Sequence, residues 1–151
     1  MNWSDITIEQ FLKIQAINAV TPDVIDREVK TIACVQGIPE AEVAKYPITK
    51  LMEAAKLLIF LKELPKKQIP IDFELDDSEW KTTVMYRDMT AGQFIDFASI
   101  LKKVKNEEII HEMHKIIACL TIRKGERYKG YDTYSDLFYS KLSMAIAYPI
   151  F

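Results

Sequence analysis

The stretch Ile71-Asp-Phe-Glu-Leu75 alternates apolar and acidic residues, and Trp80 to Tyr86 resumes the alternation after the acidic turn Asp76-Asp-Ser-Glu79. A period of two marks a strand with one buried face, so two such runs around a short polar turn predict a β-hairpin. Two strands alone are marginal in water, and this pair must therefore lie on helices or join another sheet. Most of the remaining apolar residues recur with helical spacing. The expected fold is mainly α (α+β): a bundle of about six helices with one β-hairpin between the fourth and fifth main helices.

Four helices are expected before the hairpin. Thr7 with Gln10 three positions later is a capping-box pattern, and Ile8, Phe11, Leu12, Ile17 and Val20 follow as an apolar stripe, predicting a first helix over Thr7 to Val20. Thr21-Pro22 reads as an N-cap followed by proline at the first helical position, with Ile25, Val29, Ile32 and Ala33 on one face and Gly37 as the stop. A short segment from Pro39 to Lys45 closes at Pro47. From Ile48 to Leu64 apolar residues run round most of the cylinder, which predicts a helix in the middle of the bundle, ended by Pro65.

After the hairpin, Thr90 and Gln93 form a second capping box, and Phe94, Phe97, Ala98 and Leu101 are expected to face the core. Asn106 is placed as the cap of a helix running to about Ile122, with Met113, Ile116 and Ile117 on its apolar face. A last helix is expected from Thr133 or Ser135 to Ala147, stopping at Pro149. No repeat or linker divides the chain. The expected organisation is one domain over residues 1–151, with 1–46 as an N-terminal helical module and 47–151 as the core.

At 151 residues the chain can bury roughly two-thirds of its unfolded surface, so its folding needs neither disulfide nor metal. The formal net charge of −2 lacks the concentrated basic field that nucleic acid or an anionic membrane requires, and neither is expected as a partner. The dense basic runs, Lys62 to Lys67 and Arg123 to Lys129, read as solvated faces or loops. Met1-Asn-Trp-Ser-Asp5 has no signal-peptide layout, and the longest apolar run, Leu57 to Leu61, is far shorter than the roughly 20 residues that span a bilayer. Cys34 and Cys119 sit apart among apolar neighbours and read as small buried hydrophobes in a reducing compartment.

His111-Glu-Met-His114 invites a metal reading, because Glu-x-x-His spacing occurs in di-metal helical bundles. At 100° per residue, however, His111 lies about 160° from the apolar centre at Met113 and His114 about 100° from it, whereas such sites point their ligands inward. No nucleophile elbow is present, and Gly125 and Gly130 do not have the spacing of a phosphate loop. The expectation is a protein that is not an enzyme, with no catalytic residue, cofactor or metal; an enzyme using the histidine pair is the minor alternative. Apolar residues crowd the last fourteen positions. This predicts either a tail packed on its own domain or an aromatic patch that docks a partner through Phe138, Tyr139, Tyr148 and Phe151.

From Leu64 onward, the order of features resembles the tail assembly chaperones of tailed bacteriophages and related morphogenesis proteins. The residues concerned are the hairpin Ile71-Asp-Phe-Glu-Leu75 and Trp80 to Tyr86, the helix start "MTAGQFIDF" at Met89 to Phe97, "IIHEMHKIIACLTI" from Ile109, the loop "KGERYKGYD", and the closing "YSDLFYSKLSMAIA". The resemblance covers a little over half the chain and leaves out the helices from Thr7 to Tyr46. It implies a non-enzymatic protein that binds an apolar helical partner, the tape-measure protein, in the host cytoplasm during assembly. A second expectation is a structural or packaged cargo component of the virion that contacts portal or tail subunits; self-association is allowed by both.

Overall fold

The structure is a computed structural model describing residues 1–66 and 68–151. Lys67, the last lysine of the first basic run, lies outside the described residues. Eight α-helices and a three-stranded antiparallel sheet are present among those described. The helices are α1 (Ile8–Val20), α2 (Val24–Gln36), α3 (Glu40–Val43), α4 (Ile48–Leu57), α5 (Ala91–Lys103), α6 (Met113–Leu120), α7 (Ser135–Lys141) and α8 (Met144–Ile150), and the strands are β1 (Asp72–Leu75), β2 (Ser78–Thr82) and β3 (Thr121–Arg123). The mainly helical architecture with an inserted hairpin stands as expected from the sequence.

Local chemistry explains several boundaries. Thr7 and Thr90 both close full capping boxes, with Gln10 and Gln93 returning the bond to the cap backbone. For α2 the cap is Asp23 rather than Thr21: the Asp23 carboxylate accepts from the backbone N–H of Asp26. Gly37 ends the same helix at φ 66°, the left-handed conformation that glycine adopts without a Cβ penalty. In the hairpin, Leu75 pairs with Ser78, so the loop has only two residues. Asp76 and Asp77 both take positive φ there, as a type I′ turn demands, and aspartate tolerates this better than most side chains.

Three expected helices are broken or shortened. The segment from Ile48 stops at Leu57 and continues as a single 3-10 turn over Ile59–Lys62, and Ile48, Met52, Leu57, Ile59 and Leu64 are exposed. It therefore flanks the bundle rather than occupying its middle, anchored by Leu51 and Leu58 alone among its buried positions. The helix expected from Asn106 begins as a 3-10 turn at Ile109, becomes α-helical at Met113, and ends at Leu120. Thr121-Ile-Arg123 then pairs with Trp80-Lys-Thr82 as a third strand, which answers the hairpin's need for a further partner. The last helix is cut at Leu142 and Ser143, and Pro149 lies inside α8, near its end.

One apolar cluster runs from Ile6 to Ile150 and draws on residues of both the expected N-terminal module and the expected core. Trp80 is its aromatic hub, stacked near Phe73 and meeting Tyr134 and Phe138 edge-on, while its indole N–H donates to the Leu75 carbonyl at 3.1 Å. The two ends of the chain are tied together. Ile8 N–H donates to the Leu142 carbonyl at 3.1 Å, and Met144 N–H to that of Ile6 at 2.7 Å, with all four residues buried. A smaller cluster of Ile100, Ile116 and Cys119 joins α5 to α6.

Candidate functional site

Helix α5 is built differently from the amphipathic reading of its sequence. Its buried positions are Gln93 and Ile100; Phe97 and Ala98 are half-buried, and Phe94 and Leu101 are exposed. Half of the expected inward face, Phe94 and Leu101, is thus turned outward, while Phe97 packs against the cluster around Ile100 and the polar cap residue is sealed inside. The cause lies in what α5 packs against. Its partner is α6, reached through Ile100, Ile116 and Cys119, and Gln93 can enter this contact because each of its polar atoms has a partner. Gln93 Nε2 donates to the Cys119 carbonyl at 2.9 Å, and Oε1 accepts from the Thr90 backbone N–H at 2.9 Å.

A second fixing point comes from the glycine-containing loop after β3. The Tyr128 hydroxyl donates to the Asp96 carboxylate at 2.7 Å, and a Cβ built on Gly92 would lie 3.4 Å from the Tyr128 ring. Burial, and then this bond to Asp96, push the Tyr128 hydroxyl above its ordinary range, so it remains a donor. The loop itself is organised by Glu126, which accepts from Tyr134 at 2.6 Å and Lys129 at 3.1 Å and pairs with Arg123 at 3.4 Å. These bonds, led by that from Tyr134, hold the Glu126 carboxyl below its usual range.

The result is a rigidly seated helix with an apolar outer surface. Phe94 (52% exposed), Ala98 and Leu101 recur at i, i+4 and i+7, and Ile95 beside them is 64% exposed. In the segment preceding the helix, Val84, Met85 and Tyr86 are exposed, Tyr86 to 81%. Val84, Tyr86, Met89 and Phe97 line one cleft of about 200 Å³, floored by Leu120 and Ile150. Single exposed apolar residues are ordinary; here an apolar helical stripe and an aromatic-lined cleft belong to the same helix, α5.

The tail residues expected to meet a partner are mostly otherwise engaged. Phe138 is 0% exposed, packed on Trp80 and Phe73, which corrects the expectation that it contributes to a surface patch: it is a core residue. Tyr139 and Tyr148 are half-buried against the main cluster, and Phe151 is exposed at the end of α8. The four are therefore not brought together as one aromatic patch. The cause is the break at Leu142-Ser143, which folds the tail back onto Ile6 and Ile8.

The histidines also part company. His111 is exposed at the rim of a polar cleft with Glu108, Glu112, Lys103 and Lys115. His114 is half-buried, its ring 5.1 Å from that of Tyr139, and its buried Nδ1 has no hydrogen-bond partner. Burial, aided by Lys115, holds His114 below its ordinary pKa and favours the neutral ring. Among the described residues, no three His, Cys, Asp or Glu side chains converge as metal ligands. Cys119 is fully buried, and burial pushes its thiol up to about 11, leaving little thiolate for chemistry. No described helix is long and apolar enough to cross a membrane. Comparisons with protein families, with curated proteins and with solved structures find no match to this chain.

Proposed function

We propose that this protein acts by binding, as a phage morphogenesis protein of the tail assembly chaperone type that covers an apolar helical partner such as a tape-measure protein. The observation that carries the reading is the outward apolar face of α5 together with the cleft that Phe97 of that helix shares with Tyr86 and Met89. A flat apolar stripe bordered by a methionine and an aromatic ring accepts amphipathic helices of varied sequence, because thioether and ring contacts adapt to shape without reading polar groups. On this reading the contact surface is α5 and the Val84–Met89 segment, while the tail helps to close the core. The resemblance of the segments from Leu64 onward supports the assembly setting, and the host cytoplasm is then the place of action.

Mass spectrometry of purified particles tests the assembly role. A chaperone is absent or scarce in the finished particle. Recovery at a fixed, stoichiometric copy number would instead make the protein a structural or cargo component that contacts portal or tail subunits.

A further inference from the structure

A second apolar surface lies in the N-terminal part of the chain. Between α2 and α4 runs an open groove of about 800 Å³. One wall carries Val24 and Thr31 of α2, seven residues apart and so on one face; the other carries Met52 of α4 and Ile59 of the 3-10 turn that follows it. Ile14 and Leu58 form the floor and are buried, while Met52 is 57% and Ile59 65% exposed. Two helical walls over an apolar floor form the shape that receives one further helix.

The rim decides which helix. Arg27, Lys56 and Lys62 line the groove against a single carboxylate, Glu28, an excess of two positive charges (three minus one) on a chain whose net charge is −2. None of these three cations makes an ion pair among the described residues, although nine such pairs occur elsewhere. The exposed apolar helix face of the protein itself, that of α5, does not complement this rim: α5 carries Lys102 and Lys103 against one carboxylate, Asp96, so the same face of a second copy would bring net positive charge to a positive rim.

We infer that the α2–α4 groove is a docking site for an amphipathic helix whose apolar stripe is flanked by acidic residues. This site is separate from the α5 face and stands whether or not that face binds the proposed partner. A concave channel between two helices matches a helix, whereas a membrane surface would meet the walls and leave the floor unfilled.

The test uses the full chain and a labelled peptide of about 18 residues, long enough for a helix to form on binding, with a leucine stripe flanked by glutamate. Fluorescence anisotropy is expected to show saturable binding that weakens as salt is raised. Met52→Glu and the double variant Lys56→Glu/Lys62→Glu are each expected to weaken it by roughly tenfold or more, while Lys81→Glu, at an exposed position of β2 outside both surfaces, leaves it unchanged. All these positions are exposed, and an unchanged melting profile establishes that each variant is folded. The inference is overturned if a lysine-flanked or stripe-scrambled peptide binds equally well, if charge reversal has no effect, or if Lys81→Glu abolishes binding. It is likewise overturned if the glutamate peptide fails to bind while anionic phosphatidylglycerol vesicles do, or if Met52→Glu merely dissolves a dimer seen by sedimentation.

Discussion

Gln93 reaches from the first turn of α5 to the carbonyl of Cys119 near the end of α6, a 2.9 Å hydrogen bond between two fully buried residues. The same side chain closes the capping box of its own helix. One amide thus helps to set both where α5 starts and which face it turns inward. Gln93→Ala removes the cap bond and leaves the Cys119 carbonyl buried without a donor. The expected loss is about 2–3 kcal/mol in denaturant unfolding, combining a cap with an unsatisfied buried acceptor.

Core and surface aromatics separate by the same measurement. Phe138→Ala empties space beside Trp80 and Phe73 and is expected to cost about 3–5 kcal/mol, the range for large-to-small changes in a packed core. Phe94→Ala, on the outer face of α5, is expected to stay within about 0.5 kcal/mol of the parent. Equal losses in the two variants would mean that the outer face of α5 is covered within the monomer.

The capping boxes, the hairpin and the helical class were legible because each rests on contacts within a few residues of chain. The facing of α5 was not. Its outward stripe, Phe94-Ala98-Leu101, is more apolar than its inward one, and long-range contacts select between them: the bond from Gln93 to Cys119, the packing of Ile100 on Ile116, and the bond from Tyr128 to Asp96. Strand β3 is hidden for a related reason: Thr121 and Ile122 continue the apolar helical pattern of α6, and the segment extends because the sheet edge at Trp80–Thr82 offers backbone partners. The sequence leaves the tail open between packing on its own domain and forming a surface patch, and the bonds of Leu142 and Met144 to Ile8 and Ile6 decide for packing at Phe138, Leu142 and Met144.

Thr82 holds a buried hydroxyl with no partner, since its cross-strand neighbour Thr121 donates instead to the Ile117 carbonyl at 2.8 Å. Thr82→Val keeps the branched shape and removes the orphan oxygen. A gain of about 1 kcal/mol is expected in the same unfolding experiment.

His114 makes stability depend on pH. Its folded-state pKa lies below the ordinary value of 6.5 because burial penalises the charged ring, so the unfolded chain binds the proton more readily. The neutral ring's contribution is therefore complete above pH 6.5 and is lost as pH falls below that value through the folded-state pKa. Glu126, also depressed, acts in the same direction at lower pH. His114→Leu is expected to flatten the decline just below pH 6.5 in melting temperature against pH while leaving the carboxylate-driven fall at lower pH.

The claim that α5 is the working face is tested most directly by affinity capture from infected cells, with wild type compared to the Phe94→Glu/Ile95→Glu variant and captured proteins identified by mass spectrometry. A long, apolar helical phage protein is expected with the wild type and with Phe151→Ala, and its loss from the α5 variant despite an unchanged fold. Capture of that protein in equal amount by the α5 variant would contradict it.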